Sequence, residues 1–125
     1  MCSSDLGRRR CFPGIGAKAP GARAAAERGA VNTVCQGSAA DLVKVAMLRL
    51  HAALAAPRWA GRAAMVLMIH DELVFEVEAG LAGALASEVR AIMEGAGDGA
   101  LRVPLPVKIS VGRSWGELEE LRSGG

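Results

Sequence analysis

Tyrosine is absent from this 125-residue chain, and with only two Phe and two Trp the aromatic share is 3%. Long apolar runs are missing as well. The longest, Ala63 to Ile69, has seven residues, against the ~20 that a membrane-spanning helix needs. The opening residues Met1-Cys2-Ser3-Ser4-Asp5-Leu6 hold no basic patch leading into a long apolar stretch, which a secretory signal requires. Cys2, Cys11 and Cys35 are odd in number and show neither CxxC nor His spacing, so a zinc site is excluded and a reducing, cytoplasmic setting is expected. His51 and His70 are the two histidines, too few for a helical multi-His metal cage. HExxH and GxxxxGK[ST] are absent, and Gly14-Ile15-Gly16 lacks the surroundings of a dinucleotide-binding turn.

What is present is an excess of small residues. Hydrophobic residues make up 51% of the chain, yet 24 Ala and 16 Gly account for 40 of the 125 positions. The length suits one domain. Each buried Å² of apolar surface contributes only ~25 cal/mol while ordering each residue costs ~1–2 kcal/mol, so the core should be thin and the chain a piece of something larger. Charge is uneven: residues 1–62 carry ten Lys/Arg and three Asp/Glu, net +7, and residues 63–125 carry five and ten, net −5. One half could face a polyanion and the other hold cations, or the basic residues, twelve of fifteen of them Arg, could simply be spread over solvated surface.

Gly7 to Phe12 reads as a short basic strand or arm, closed by Pro13-Gly14 and a breaker-rich loop to Gly21. Helix formers dominate from Ala22, but Asn32-Thr33 and Gln36-Gly37-Ser38 interrupt them, which predicts two helical pieces with a kink, Ser38 capping the second with Asp41 as acidic partner. Val43, Met47, Leu50 and Leu54 give that second piece a buried face, ending near Ala56 ahead of Pro57. Met65 to His70, apolar on both faces, reads as a strand inside a sheet. It forms a hairpin with the alternating Leu73, Phe75 and Val77. Leu81, Leu85, Val89 and Ile92 mark an amphipathic helix that stops in Gly95–Gly99, and Val103 to Val111 reads as a last strand. The class is α+β: an antiparallel sheet with a central hairpin and helices packed on one face.

Two constellations carry chemistry. Tight hairpins favour Asn-Gly, Asp-Gly or Gly pairs, and this tip instead places His70-Asp71-Glu72. Adjacent carboxylates at a rigid strand junction suit Mg²⁺, which takes hard oxygen ligands shared with phosphates and water; they also suit a plain polar turn on a solvated edge. Two-metal phosphoryl transfer expects carboxylates from two segments, and one such segment is present. Arg28, Asn32 and Gln36 recur every four residues, so a near-continuous helix would line one face with long polar donors, either solvated or laid in a nucleic-acid groove. Such donors match the acceptors every base pair shows in the minor groove, a fit to duplex shape with little sequence preference.

Beyond these, Glu27-Arg28-Gly29-Ala30-Val31-Asn32, then Gln36-Gly37-Ser38-Ala39-Ala40-Asp41, then Ile69-His70-Asp71-Glu72-Leu73-Val74-Phe75-Glu76-Val77 resemble the C-terminal part of family A DNA polymerases of the bacterial DNA polymerase I type. Flanking segments agree: Gly7-Arg8-Arg9-Arg10, Val103-Pro104-Leu105-Pro106-Val107 and Ser114-Trp115-Gly116-Glu117-Leu118. The resemblance covers 7–121 as part of the polymerase palm and its adjoining helices, leaving 1–6 unplaced and 122–125 as a tail.

The resemblance implies template-directed addition of deoxynucleotides to a primer 3′ end, with Mg²⁺ as cofactor and primer-template DNA and deoxynucleoside triphosphates as partners. Asp71 would be the metal-binding carboxylate of the family's second acidic motif, Glu72 would support it, and His70 would sit beside the primer terminus. Arg28, Asn32 and Gln36 match helix positions that contact primer-template DNA, and Arg8, Arg9 and Arg10 would meet phosphates. The family's first acidic palm motif, its nucleotide-gripping fingers helix and its thumb have no counterpart here. Cys11 stands where an aromatic residue is common, and Gly29 where a better helix former is usual. The chain is therefore expected to be a fragment that does not polymerise DNA alone and depends on the missing N-terminal part. The other reading is a non-catalytic DNA-binding module derived from a polymerase palm.

Overall fold

The computed structural model describes residues 2–4 and 6–121; Met1, Asp5 and the 122–125 tail lie outside the described residues. The order of regular elements is β1 (Cys2–Ser3), β2 (Arg9–Arg10), α1 (Pro20–Leu54), β3 (Ala63–Ile69), β4 (Glu72–Val77), α2 (Ala82–Glu94), β5 (Ser110–Val111) and β6 (Glu119–Glu120). Each strand pairs antiparallel with one neighbour, β1 with β2, β3 with β4 and β5 with β6. The class is thus α+β, with long helical and short antiparallel parts.

Helix α1 is one unbroken element of 35 residues, about 52 Å long at 1.5 Å per residue. Pro20 opens it at a position whose N–H would have no partner anyway. The predicted kink does not form. Thr33 Oγ1 donates to the Gly29 carbonyl at 2.8 Å and Ser38 Oγ to the Val34 carbonyl at 2.6 Å, so these hydroxyls are satisfied inside the helix rather than at a cap. Ser38 is therefore no N-cap, and Asp41 is buried in mid-helix instead of facing a helix start.

The core joins three elements. Leu50 of α1, Trp59 of the following turn, and Leu85 and Val89 of α2 are buried together, with Leu54, Leu73, Phe75, Val77, Leu81 and Ile92 packed against them. Alternation in β4 and the helical stripe of α2 thus read correctly. The core is thin: Ala46, Ala86 and Ala96 are three of the seven buried hydrophobic residues described. On β3 the expectation of burial on both faces fails, because Val66, Leu67 and Met68 are exposed. A two-stranded ladder covered on one side leaves the other side open.

The hairpin's register runs from Ala63↔Val77 to Ile69↔Glu72, with an irregularity between Met65 and Leu67. Its base is clamped. Arg62 Nε and Nη2 donate to Glu78 Oε2 and Oε1 at 2.7 and 3.1 Å, and the Glu78 amide donates to the Arg62 carbonyl at 2.9 Å. Of the predicted last strand, Val103 to Val111, only Ser110–Val111 pairs. Pro104 and Pro106 have no N–H to give. The Val107 amide instead donates to Glu94 Oε1 at 3.2 Å and its carbonyl accepts from Arg90 Nη1 at 2.9 Å, so α2 side chains satisfy this stretch in place of a ladder.

Candidate nucleic-acid interface and acidic turn

The connection between β3 and β4 is two residues long, His70-Asp71, and Glu72 already belongs to the ladder opposite Ile69. Two-residue hairpins need a backbone of positive φ that matches strand twist, a position normally given to glycine. Here His70 takes it, with φ of 54°, the one non-glycine residue of positive φ among those described. A Cβ in this region costs ~1–2 kcal/mol. The strain persists because the Arg62–Glu78 clamp at the hairpin's base and the packing of Leu73, Phe75 and Val77 along β4 hold the register.

His70, Asp71 and Glu72 are all exposed, and neither carboxylate is ion-paired among the described residues. Two neighbouring carboxylates without a cation are the right donor type for a hard divalent ion. In number they fall short, since among the described residues no group of three or more His, Cys, Asp or Glu stands together to hold a metal. The turn fits one share of a divalent-cation site, to be completed by oxygen donors from elsewhere.

Because α1 is continuous, Arg28, Asn32 and Gln36 do fall on one exposed face. One residue further along the helix lies a second stripe at the same spacing, Gly29, Thr33, Gly37 and Asp41, and the N-terminal arm that carries β1 and β2 lies on it. The Phe12 ring would stand 3.0 Å from a Cβ at Gly29, and the Ser4 Cβ 3.4 Å from one at Gly37. That close approach accounts for a glycine in mid-helix at position 29, where propensity disfavours it. Arg10 Nη1 donates to Thr33 Oγ1 at 3.2 Å, and its guanidinium lies 5.1 Å from the Phe12 ring centre. At the end of the stripe Asp41 accepts from Ser4 Oγ at 2.9 Å and from Arg8 Nε. The side-chain hydrogen bonds from Arg8 and Ser4 hold its carboxyl below the usual 3.8.

Two grooves result. A groove of about 320 Å³ is lined by Glu27, Arg28, Val31 and Asn32, and one of about 370 Å³ by Ser4, Arg8, Arg9, Arg10, Thr33, Gln36 and Gly37. The predicted donor row is therefore shared between them, with Gln36 drawn into the arm's groove. No hydrogen bond or ion pair among the described residues joins this face to the acidic turn, which stands at the far tip of a different element. Sequence reasoning missed Ser4, Thr33 and Asp41. A signal was available in the four-residue spacing of Gly29, Thr33, Gly37 and Asp41, which runs beside the donor row.

Comparison with known proteins assigns the class: the sequence is similar to those of DNA polymerases. The family model described as DNA polymerase family A matches residues 1–117, and the chain belongs to that family. It is 45% identical over 113 residues to DNA polymerase I of Mycobacterium bovis, covering 90% of this chain and 12% of that protein. Over 111 residues it is 42% identical to the thermostable DNA polymerase I of Thermus thermophilus, with shares of 88% and 12%. To DNA polymerase theta of Drosophila melanogaster it is 39% identical over 122 residues, 92% of this chain and 6% of that one. A solved structure, the POL domain of Pol1 from M. smegmatis in complex with DNA primer-template and dNTP, matches with TM-score 0.80 and 45% identity over 90% of this chain and 19% of the other. The chain thus spans about an eighth of the length of the DNA polymerase I relatives it matches. No described helix is long and apolar enough to cross a membrane.

Proposed function

We propose that residues 7–121 are the part of a DNA-directed DNA polymerase that supplies one metal-binding turn and part of the primer-template surface, in replication or repair, in the cytoplasm. The observation that carries this reading is the His70-Asp71 turn: a strained, exposed, doubly acidic hairpin tip in a chain 45% identical to DNA polymerase I over 90% of its length. The reaction is transfer of a nucleotide from a deoxynucleoside triphosphate to a primer 3′ end.

Asp71 and Glu72 would hold Mg²⁺ together with carboxylates outside this chain. When bound, Mg²⁺ supplies activation of the attacking oxygen and neutralisation of charge on the phosphates. The chain's own contribution is geometric. The strained turn keeps the Asp71 carboxylate in one place, so no reorganisation is needed as charge develops. His70 stands next to it, at the primer terminus. Arg28, Asn32 and Gln36 donate to minor-groove acceptors common to all base pairs, which reads duplex shape and not sequence. Arg9 and Arg10 meet backbone phosphates. The 125-residue chain by itself does not extend a primer. A second reading, a DNA-holding module without chemistry, draws support from the shortage of metal donors among the described residues.

Asp71→Asn in the full-length protein that carries these residues decides between them. Loss of one preorganised charge group should lower primer extension by at least ~100-fold while primer-template affinity changes little. Extension at the unsubstituted rate by the Asp71→Asn protein refutes the metal-binding assignment. A full-length protein that binds DNA yet shows no Mg²⁺-dependent extension at all supports the module.

A further inference from the structure

We propose that Asp41 is a positioning residue for the DNA face: its carboxylate locks the Arg8–Arg10 arm onto α1, so that the arm's guanidinium groups and Gln36 line one groove. The inference rests on the reading of that face as a primer-template surface. Asp41 is one of four buried polar or charged side chains described, at 6% exposure, and both its oxygens are used by the arm. Oδ2 accepts from Ser4 Oγ at 2.9 Å and Oδ1 from Arg8 Nε. The knot closes on itself, since the Arg8 amide donates to Ser4 Oγ at 3.0 Å and the Ser4 amide to the Arg8 carbonyl at 2.9 Å. These bonds bridge 37 and 33 residues of chain, so with the Arg10–Thr33 bond and the Phe12–Gly29 contact they set the arm's position relative to Gln36 across the chain rather than through local geometry.

The groove in front of this knot, about 370 Å³, is lined by three arginines, one glutamine and no carboxylate. Asp41 sits behind the arm, outside that lining. As a charge, it weakens a polyanion site, because it cancels one guanidinium that would otherwise add to the field. As an anchor, it strengthens the site by holding Arg9 and Arg10 beside Gln36. Charge and position therefore predict opposite signs for its removal, which makes the proposal testable.

The test uses the full-length protein, binding a fluorescein-labelled primer-template duplex by anisotropy over a KCl series. Asp41→Ala and Asp41→Asn add the same charge, but only Asn keeps an oxygen to accept from Arg8 and Ser4. Asp41→Ala should weaken binding about tenfold and flatten the log–log salt slope by about one phosphate contact, with Asp41→Asn in between. Arg8→Lys keeps the net charge and loses the Nε donor, and should act like Asp41→Ala, which serves if the latter does not fold. A general loss of structure lowers the melting temperature without this ordering of Asn over Ala. Binding by Asp41→Ala and Arg8→Lys that is unchanged or tighter, with the full salt slope, overturns the proposal. Hydrogen exchange separates it from the reading beneath it. Unaltered exchange at the Ser4, Gly7 and Arg8 amides in Asp41→Ala refutes the anchoring itself. Unchanged DNA affinity in Gln36→Ala and Arg9→Ala refutes the primer-template face, whatever the arm does.

Discussion

Replacing His70 by glycine and by alanine separates the backbone of the acidic turn from its imidazole. Both changes remove the ring, and only alanine keeps a Cβ at φ 54°. Holding that Cβ in the left-handed region costs ~1–2 kcal/mol, whereas glycine loses about 0.5–1 kcal/mol more in chain entropy on folding. The difference leaves His70→Gly more stable than His70→Ala by roughly 0.5–1 kcal/mol in urea unfolding. Activity should run the other way. Glycine lets the turn sample further conformations, so Asp71 is held less firmly and primer extension by the full-length His70→Gly protein falls below that of His70→Ala. A less stable glycine variant, or equal extension by the two, refutes the argument that strain at this turn serves to aim Asp71.

Two further outcomes follow from buried polar groups. The Trp59 indole, 2% exposed, donates to Glu88 Oε2 at 2.8 Å, and Arg58 Nη2 donates to the same oxygen at 2.7 Å from an exposed position. Glu88→Ala strands the indole N–H and should cost ~1–3 kcal/mol, while Glu88→Gln keeps an acceptor and gives up only an exposed ion pair worth ~0–1 kcal/mol. Equal losses for the two in chemical denaturation would show that the indole bond contributes nothing. For Asp41, hydrogen bonds from Arg8 and Ser4 lower the folded-state carboxyl below the usual 3.8. Its contribution is therefore complete above that usual value and is lost as pH falls through the lowered one. Protection of the arm amides, taken relative to their intrinsic exchange at each pH, should hold to about pH 4 and fall below it, and this acid step should vanish in Asp41→Asn.

How much was legible in the sequence varies with the range of the interaction. Hairpin, α2 and the Leu50–Leu85–Val89 core were readable from period 2 and period 3.6 alone, because each apolar side chain there meets its partner on a single face. The kink was not real, because propensity counts Thr33 and Ser38 as breakers without knowing that their hydroxyls turn back onto the helix. The last strand shrank to Ser110–Val111 because α2 side chains took the partners a ladder would have used. Of the candidate site, the sequence named His70, Asp71, Glu72, Arg28, Asn32 and Gln36, all of them exposed side chains whose pattern is local.

By itself the sequence determined the hairpin, α2, the doubly acidic turn and the donor row. Each depends on neighbours within a few positions, where spacing alone settles which side chains share a face. Only the tertiary structure decided that His70 carries the left-handed backbone, and that Gly29 and Gly37 are the floor under an arm. It alone decided that Asp41 ties Ser4 and Arg8 across more than thirty residues. Contacts of that range cost loop-closure entropy that no local pattern records, and they exist only once α1 is straight enough to offer its second stripe.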